Sequence, residues 1–381
     1  MTRVLIAADK FKGTLTAVEV ATAVAAGLRR VGDPEIRVVP VADGGDGTVA
    51  AALEAGFETV GVTAAGPTGE PVETAYARQG ETAVIEMADV SGLVRLPGGR
   101  LDPLRATSRG LGEVIAAAID AGCHDVVVGI GGSASTDGGA GMVQALGAWL
   151  TDDRGSELGG GGVGLSALAA VDLRGLRRRI KGVRFTFACD VNNPLTGPRG
   201  AAAVYGPQKG ARPDDVAVLD AALEHWADVI AAETGRDERE APGAGAAGGV
   251  GYAAVALLGA ALRPGIDLVL DLVGFREALA ALGPDDLVIT GEGALDEQTL
   301  HGKAPAGVAA AARARGIPVV AVCGQNGLGS ERLEQAGISA AYALVDVEPD
   351  VTRCMTEPAP ILERLGERIA RDRLATQSTG Q

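Results

Sequence analysis

Histidine, lysine and aromatic residues are all scarce in this chain of 381 residues, and each scarcity removes a class of function. The three histidines, His124, His225 and His301, lie far apart, so neither a histidine-rich metal cage nor, without a GxSxG elbow, a serine triad is expected. Cys123, Cys189, Cys323 and Cys354 form no CxxC pair, and each stands in or beside an apolar stretch, as reduced structural thiols of a cytoplasmic protein do. No GxxxxGK[ST] loop occurs, because Gly302-Lys303 is followed by Ala304 and no glycine stands five residues earlier. Aromatic residues make up 3% of the chain, and no side chain among them stands out as a platform for a purine. Basic residues are outnumbered 34 to 49, for a net charge of −15, which excludes nucleic acid and anionic membrane as main partners.

Long apolar runs are also missing. Ala241–Leu262 is uncharged, but its first half, PGAGAAGGVG, is mostly small residues. That leaves Tyr252–Leu262 as a buried core helix entered through a flexible loop, and not a bilayer span. The start, MTRVLIAADK, reads as a first strand and not as a signal peptide. GAGAAG (243–248) matches GxGxxG, yet a charged segment ending in Pro242 precedes it where a dinucleotide site needs a strand.

What is present describes a folded α/β protein. Hydrophobic residues make up 47% and charged residues 22%, and the length exceeds one ordinary core of at most roughly 250–300 residues, so two domains are expected. Arg3–Ala7 reads as a strand, and Thr16-Ala17-Val18-Glu19 forms a capping box before Val20, Val24 and Leu28 recur at helical spacing. Ile36–Val41 is a second strand and Thr48–Ala55 a second helix. Toward the other end come strands at Asp286–Thr290, Pro318–Cys323 and Ala340–Val345, with Pro305 opening a helix that Gly316 closes. A middle segment contributes strands at Ala83–Met87, Asp125–Ile130 and Arg184–Ala188. Its different texture suggests an insertion splitting a doubly wound domain.

The chemistry is concentrated in glycine loops behind the strands. Glycine lets backbone N–H groups approach an anion, and ligands of parallel sheets bind past the strand ends. Asp9, Asp43, Asp46, Asp137, Asp190, Glu292 and Asp296 occupy such loops. Of the five lysines, Lys10, Lys12, Lys209 and Lys303 do so as well, in a chain whose surface cations are otherwise arginines. Carboxylates, lysines and glycine loops together are the means of moving a phosphoryl group: oxygen ligands for Mg²⁺, cations for phosphate and an aspartate to take a hydroxyl proton.

As a set, ADKFKGTLTA (8–17), VADGGDGT (41–48), ATSRGLGE (106–113), GIGGSASTDGGAGMVQALG (129–147), ACDVNNPLTGPRGAA (188–202), YGPQKGA (205–211), PGAGAAGGVGYA (242–253) and ITGEGALDEQTLHGKAPAGVA (289–309) resemble the type I glycerate kinases, bacterial enzymes that phosphorylate D-glycerate with ATP. The resemblance implies an α/β fold of two domains with the active site in the cleft between them. One is a Rossmann-like doubly wound domain built from both chain ends (1–62 and 286–381), and the other an inserted mixed α/β domain (63–285). It implies ATP, Mg²⁺ and D-glycerate as ligands, the 2-phosphate as product, and a monomer or homodimer. The alternatives are a kinase for a related hydroxy acid and a catalytically silent sensor on the same fold.

On that footing Asp190, a lone carboxylate just past a strand, is expected as general base, with Lys12 and Lys303 as catalytic cations. Substrate and phosphate contacts are expected from Asp9, Lys10, Asp43, Gly44, Gly45, Gly131, Gly132, Ser133, Asn193, Gln208, Lys209, Gly245, Gly248, Gly291, Gly293 and Thr299. Asp137 either joins them or caps the helix beginning at Gly139. Glu292 and Asp296 are expected near the metal, although Asp296 could equally cap the following turn. Asp46, Asn192 and Ala294 depart from the residues expected at those positions, and no contact is assigned to Ala294.

Overall fold

The structure is a computed structural model that describes residues 2–42, 47–300 and 302–374. The chain divides into two compact units, Met1–Asp43 with Ile266–Gln381, and Gly44–Gly265. The chain ends therefore fold together around an inserted middle. The divisions fall earlier in the chain than the expected 62/63 and 285/286, and local packing gives the reason. The helix Thr48–Glu54 lies on the strands Pro71–Gln79 and Thr82–Glu86, while Phe275–Ala280 packs beside the first strand.

The unit of the two ends holds a five-stranded sheet, in the order Ala340–Ala343, Val319–Asn326, Leu287–Leu295, Arg3–Ala8, Glu35–Val38. Every pairing is parallel, which puts all strand C-termini on one edge. Its inner strands read as apolar runs and are buried, whereas the edge strand Glu35–Val38 is largely exposed. The helix Ala17–Val31 begins at the Thr16 capping box, where Thr16 Oγ1 accepts the Glu19 N–H at 3.2 Å and Glu19 returns a bond to the Thr16 N–H at 2.8 Å. Its Val20, Val24 and Leu28 enter one core with Ile6, Ile289, Val322 and Leu362. The chain runs outward in opposite directions from the central pair, Arg3–Ala8 and Leu287–Leu295, so a topological switch point lies between these two strands.

The middle unit holds a six-stranded mixed sheet, in the order Ala261–Arg263, Arg184–Ala188, Asp125–Gly129, Thr82–Glu86, Pro71–Gln79, Glu58–Ala65. The first four strands are parallel, and the last two add antiparallel. Phe187, Val128, Ile85 and Tyr76 from this sheet pack with Leu111, Leu223 and Trp226 from its helices. The uncharged stretch 241–262 becomes the buried helix Ala246–Leu258, a turn at Gly259 and the strand Ala261–Arg263. Among the described residues no helix is long and apolar enough to cross a membrane. The expected flexible entry to that helix is instead packed: Ala244 and Ala246 are buried, and Ala247, Gly248 and Gly249 turn through the left-handed region at φ 52°, 69° and 93°.

Candidate active site

In the middle unit Asp125–Gly129 and Arg184–Ala188 end side by side, with Gly129 opposite Ala188. The loops beyond them line a cavity of about 220 Å³ with Gly131, Gly132, Ser133, Asp190, Tyr205 and Lys209 on its walls. Gly132 turns at φ 69°, and the N–H groups of Gly131, Gly132 and Ser133 carry no backbone hydrogen bond among the described residues. Successive free N–H groups bent by a left-handed glycine form a concavity for an anion. Lys209 ends a one-turn helix, Pro207–Lys209, and reaches this loop with only 2% of its surface exposed. Its Nζ donates to Ser133 Oγ at 2.8 Å and to the Ser135 carbonyl at 2.6 Å. Burial pushes its pKa down to about 7, against the pull of the Asp137 charge. Asp190 is exposed at the lip, where its Oδ1 accepts the Gly265 N–H at 3.0 Å.

Other expected ligands of this unit turn out to build the cavity. Asp137 is 1% exposed. Its Oδ2 accepts from the Ser108 N–H at 2.7 Å, Ser108 Oγ at 2.9 Å, Thr107 Oγ1 at 3.3 Å and the Gly141 N–H at 3.4 Å, and its Oδ1 from the Gly139 N–H at 3.2 Å. The capping role is the one its partners support, since they include the Gly139 and Gly141 N–H groups at the helix start. Asp137→Ala should destabilise the fold by at least ~3 kcal/mol in urea denaturation, since each buried donor left unpaired costs about 1–3 kcal/mol. Asn193 is likewise satisfied at both ends, accepting from Tyr205 Oη at 2.7 Å and donating to the Arg199 carbonyl at 2.8 Å. Gln208 is exposed on the lining.

Gly245 and Gly248 lie against protein backbone, which by itself requires glycine at both positions. A Cβ on Gly245 would lie 2.2 Å from the Pro194 carbonyl oxygen, and one on Gly248 2.1 Å from that of Ser135. Their loop buttresses the anion loop, with the Gly138 N–H donating to the Gly248 carbonyl at 3.0 Å. Asp43, Gly44 and Gly45 lie outside the described residues. Just beyond them, sequence reasoning missed Glu86. This buried carboxylate at a strand end accepts the Gly47 N–H at 2.8 Å and the Val49 N–H at 3.2 Å. It thereby occupies the start of the helix Thr48–Glu54, where a phosphate was the other candidate.

The second group of expected residues gathers at the switch point of the five-stranded unit. Ala8 pairs with Gly291, the Asp9 N–H donates to the Gly291 carbonyl at 2.8 Å, and a Cβ on Gly293 would sit 3.7 Å from the Lys12 backbone nitrogen. The loop carrying Asp9, Lys10 and Lys12 thus runs against Gly291–Gly293. Asp9 Oδ1 accepts the Lys10 N–H at 2.6 Å, and the Lys12 side chain is exposed. Glu292 is buried, which pushes its pKa up; Thr299 Oγ1 and Lys303 oppose that shift. Thr299 Oγ1 donates to Glu292 Oε1, and Lys303 Nζ lies 3.3 Å from Glu292 Oε2 and 4.0 Å from Asp296 Oδ1. Asp296 takes the turn-capping role, its Oδ1 accepting the Gln298 N–H at 2.8 Å and the Thr299 N–H at 3.3 Å. Among the described residues no three histidine, cysteine or carboxylate side chains cluster as a metal cage.

A sequence model of the glycerate kinase family matches residues 4–374. The chain belongs to the glycerate kinase family. It is 45% identical over 372 residues to the glycerate kinase of Bacillus subtilis (strain 168), covering 97% of each chain. It is 45% identical over 349 residues to the glycerate 2-kinase of Escherichia coli (strain K12), covering 90% of each. A crystal structure described as glycerate kinase 2 from Salmonella typhimurium LT2 superposes with a TM-score of 0.87 at 42% identity, over 99% of both chains. The glycerate kinase family is one of ATP-dependent kinases, and the chain is an enzyme of that class.

Proposed function

We propose that the enzyme transfers the γ-phosphoryl group of ATP to the 2-hydroxyl of D-glycerate, and that the cavity past Gly129 and Ala188 holds the acceptor. The observation that carries this reading is the pairing of a free N–H concavity with a carboxylate at one small cavity: Gly131–Ser133 over buried Lys209, and Asp190 at the lip. The acceptor carboxylate lies on the N–H groups of Gly131, Gly132 and Ser133, with the Lys209 ammonium behind them supplying positive charge. Asp190 takes the proton as the hydroxyl oxygen attacks phosphorus. Oxygen–phosphorus bond formation and release of ADP complete the transfer. Lys12 and Lys303 neutralise phosphate oxygens, Lys303 being held ready by Glu292 and Thr299.

Mg²⁺ is bound by kinases through one or two carboxylates plus substrate phosphates. Asp296 caps its turn through Oδ1 and keeps a side chain that is 51% exposed, so its other oxygen is the one assigned to the metal, which would neutralise charge developing on the phosphates. The name of the Escherichia coli relative favours the 2-phosphate as product.

The test is ADP release with D-glycerate, L-glycerate, glycolate and lactate as acceptors, followed by ³¹P NMR of the product. D-glycerate should be turned over best and give a phosphorus signal split by the single proton on C2. A signal split by two protons would place the phosphate on C3. Turnover of another acid in preference to D-glycerate would overturn the assignment of the acceptor.

A further inference from the structure

The five-stranded unit carries a second concavity, on the sheet face where right-handed crossovers place the helices Ala304–Arg313 and Ser330–Gln335. It is a groove of about 850 Å³, within the range of small-molecule sites. Ile266, Leu300, Ala306 and Ala310 give it an apolar lining, and the small side chains of the two alanines leave that helix surface open to a planar ring. Two guanidinium groups line it as well. Arg313 donates to the Gln335 carbonyl at 3.2 Å, while Arg332 reaches Gln335 Oε1 at 3.3 Å and Glu297 Oε1 at 3.2 Å. The Glu297 carboxylate holds Arg332 through both Nε and Nη2, which fixes the plane of that guanidinium, while Arg313 has only the Gln335 carbonyl as a partner among the described residues.

The groove also leads somewhere. It is lined at one end by Gly302, the residue before Lys303, and Lys303 is the N-cap of the helix that forms its floor. At 1.5 Å per residue that helix of 10 residues is roughly 15 Å long, enough for a base, a ribose and part of a phosphate chain. Guanidinium planes stack on bases as aromatic rings do, which suits a chain with 3% aromatic residues.

We infer that the adenosine end of ATP lies in this groove, its purine on the Ala306–Ala310 face beside Arg313 and Arg332, and its phosphates leaving past Gly302 toward Lys303. The inference rests on the ATP-dependent reading above, and it needs no aromatic residue as a platform for the purine. Calorimetric titration of ADP into the full chain tests it with Ala310→Trp and, at the far end of the helix, Ala314→Trp. Both positions are exposed, so thermal melting should match the wild type.

Each tryptophan should weaken ADP by at least about tenfold and raise the KM for ATP in proportion, with the KM for D-glycerate within about twofold. Wild-type ADP affinity in both folded variants would overturn the inference, and a change in sedimentation mass with that result would make the groove a contact between copies. The two readings fail separately. Wild-type enzyme that binds ADP but leaves D-glycerate untouched refutes the acceptor, whereas variants with full ADP affinity and full glycerate turnover refute only the groove.

Discussion

Asp190→Asn should lower kcat for D-glycerate by about 10²–10⁴-fold, the range that general acid–base catalysis contributes, while leaving the KM for glycerate within a few-fold. The substitution separates two roles. As a structural residue Asp190 accepts the Gly265 N–H at 3.0 Å through Oδ1, and an asparagine amide oxygen accepts that bond equally well. As a base it must take a proton at neutral pH, which the amide cannot do. Wild-type turnover by Asp190→Asn would therefore show that the carboxylate is a loop tether. Loss of turnover with unchanged melting and unchanged ADP affinity is the result expected of a base. Asp190→Ala is the less informative variant because it removes both roles together.

Lys209→Met should raise the KM for D-glycerate by about 10²–10³-fold, the equivalent of the ~2.7–4 kcal/mol lost with one preorganised donor. Two effects combine, since the variant removes the charge behind the anion loop and the tethers to Ser133 and Ser135. The pH dependence tells charge from tether. Burial lowers the Lys209 pKa to about 7, so in the free enzyme the ammonium is present below that pH and lost above it. The kcat/KM for glycerate should then fall as pH rises through about 7, and Lys209→Met should lack that limb.

Stability should move the other way. The unfolded lysine titrates near ~10.4, so between about 7 and there the unfolded chain binds the extra proton, and unfolding free energy rises with pH. Urea midpoints from pH 7 to 9 should climb in the wild type more than in Lys209→Met. Parallel slopes would mean that Lys209 does not change its protonation in this range.

The sequence and the structure agree best where the deciding interaction is local. The Thr16–Glu19 capping box needs only residues three apart, and the helix starts there. The parallel strands are legible as apolar runs with glycine loops behind them, and those loops correctly mark the strand ends where Gly131 and Asp190 stand, whereas the expected loop at Glu292 is strand, because Leu287–Leu295 stays paired with its neighbour as far as Leu295. What could not be read is which carboxylates the protein consumes itself. Asp137 and Asp190 look alike in sequence, but the partners of Asp137 include Ser108, 29 positions away, which arrives only when the sheet is formed. Glu86 hides in TAVIEM, a run that reads as buried strand, because its partners Gly47 and Val49 come from the start of a helix far away in sequence. Lys209 reads in sequence as a substrate or phosphate contact, and only packing shows it 2% exposed beneath the loop, where few lysines lie. The antiparallel hairpin Glu58–Ala65 and Pro71–Gln79 was missed because its alternation is weak: much of it is threonine, glutamate and alanine.

The central claim, that the loop past Gly129 receives the acceptor carboxylate, is tested most directly by titrating D-glycerate into ¹⁵N-labelled enzyme and following the amide resonances of Gly131, Gly132 and Ser133. The account predicts downfield shifts of all three that saturate with the KM for glycerate and are lost in Lys209→Met. Saturating glycerate that leaves these amides unmoved while resonances elsewhere shift would contradict it.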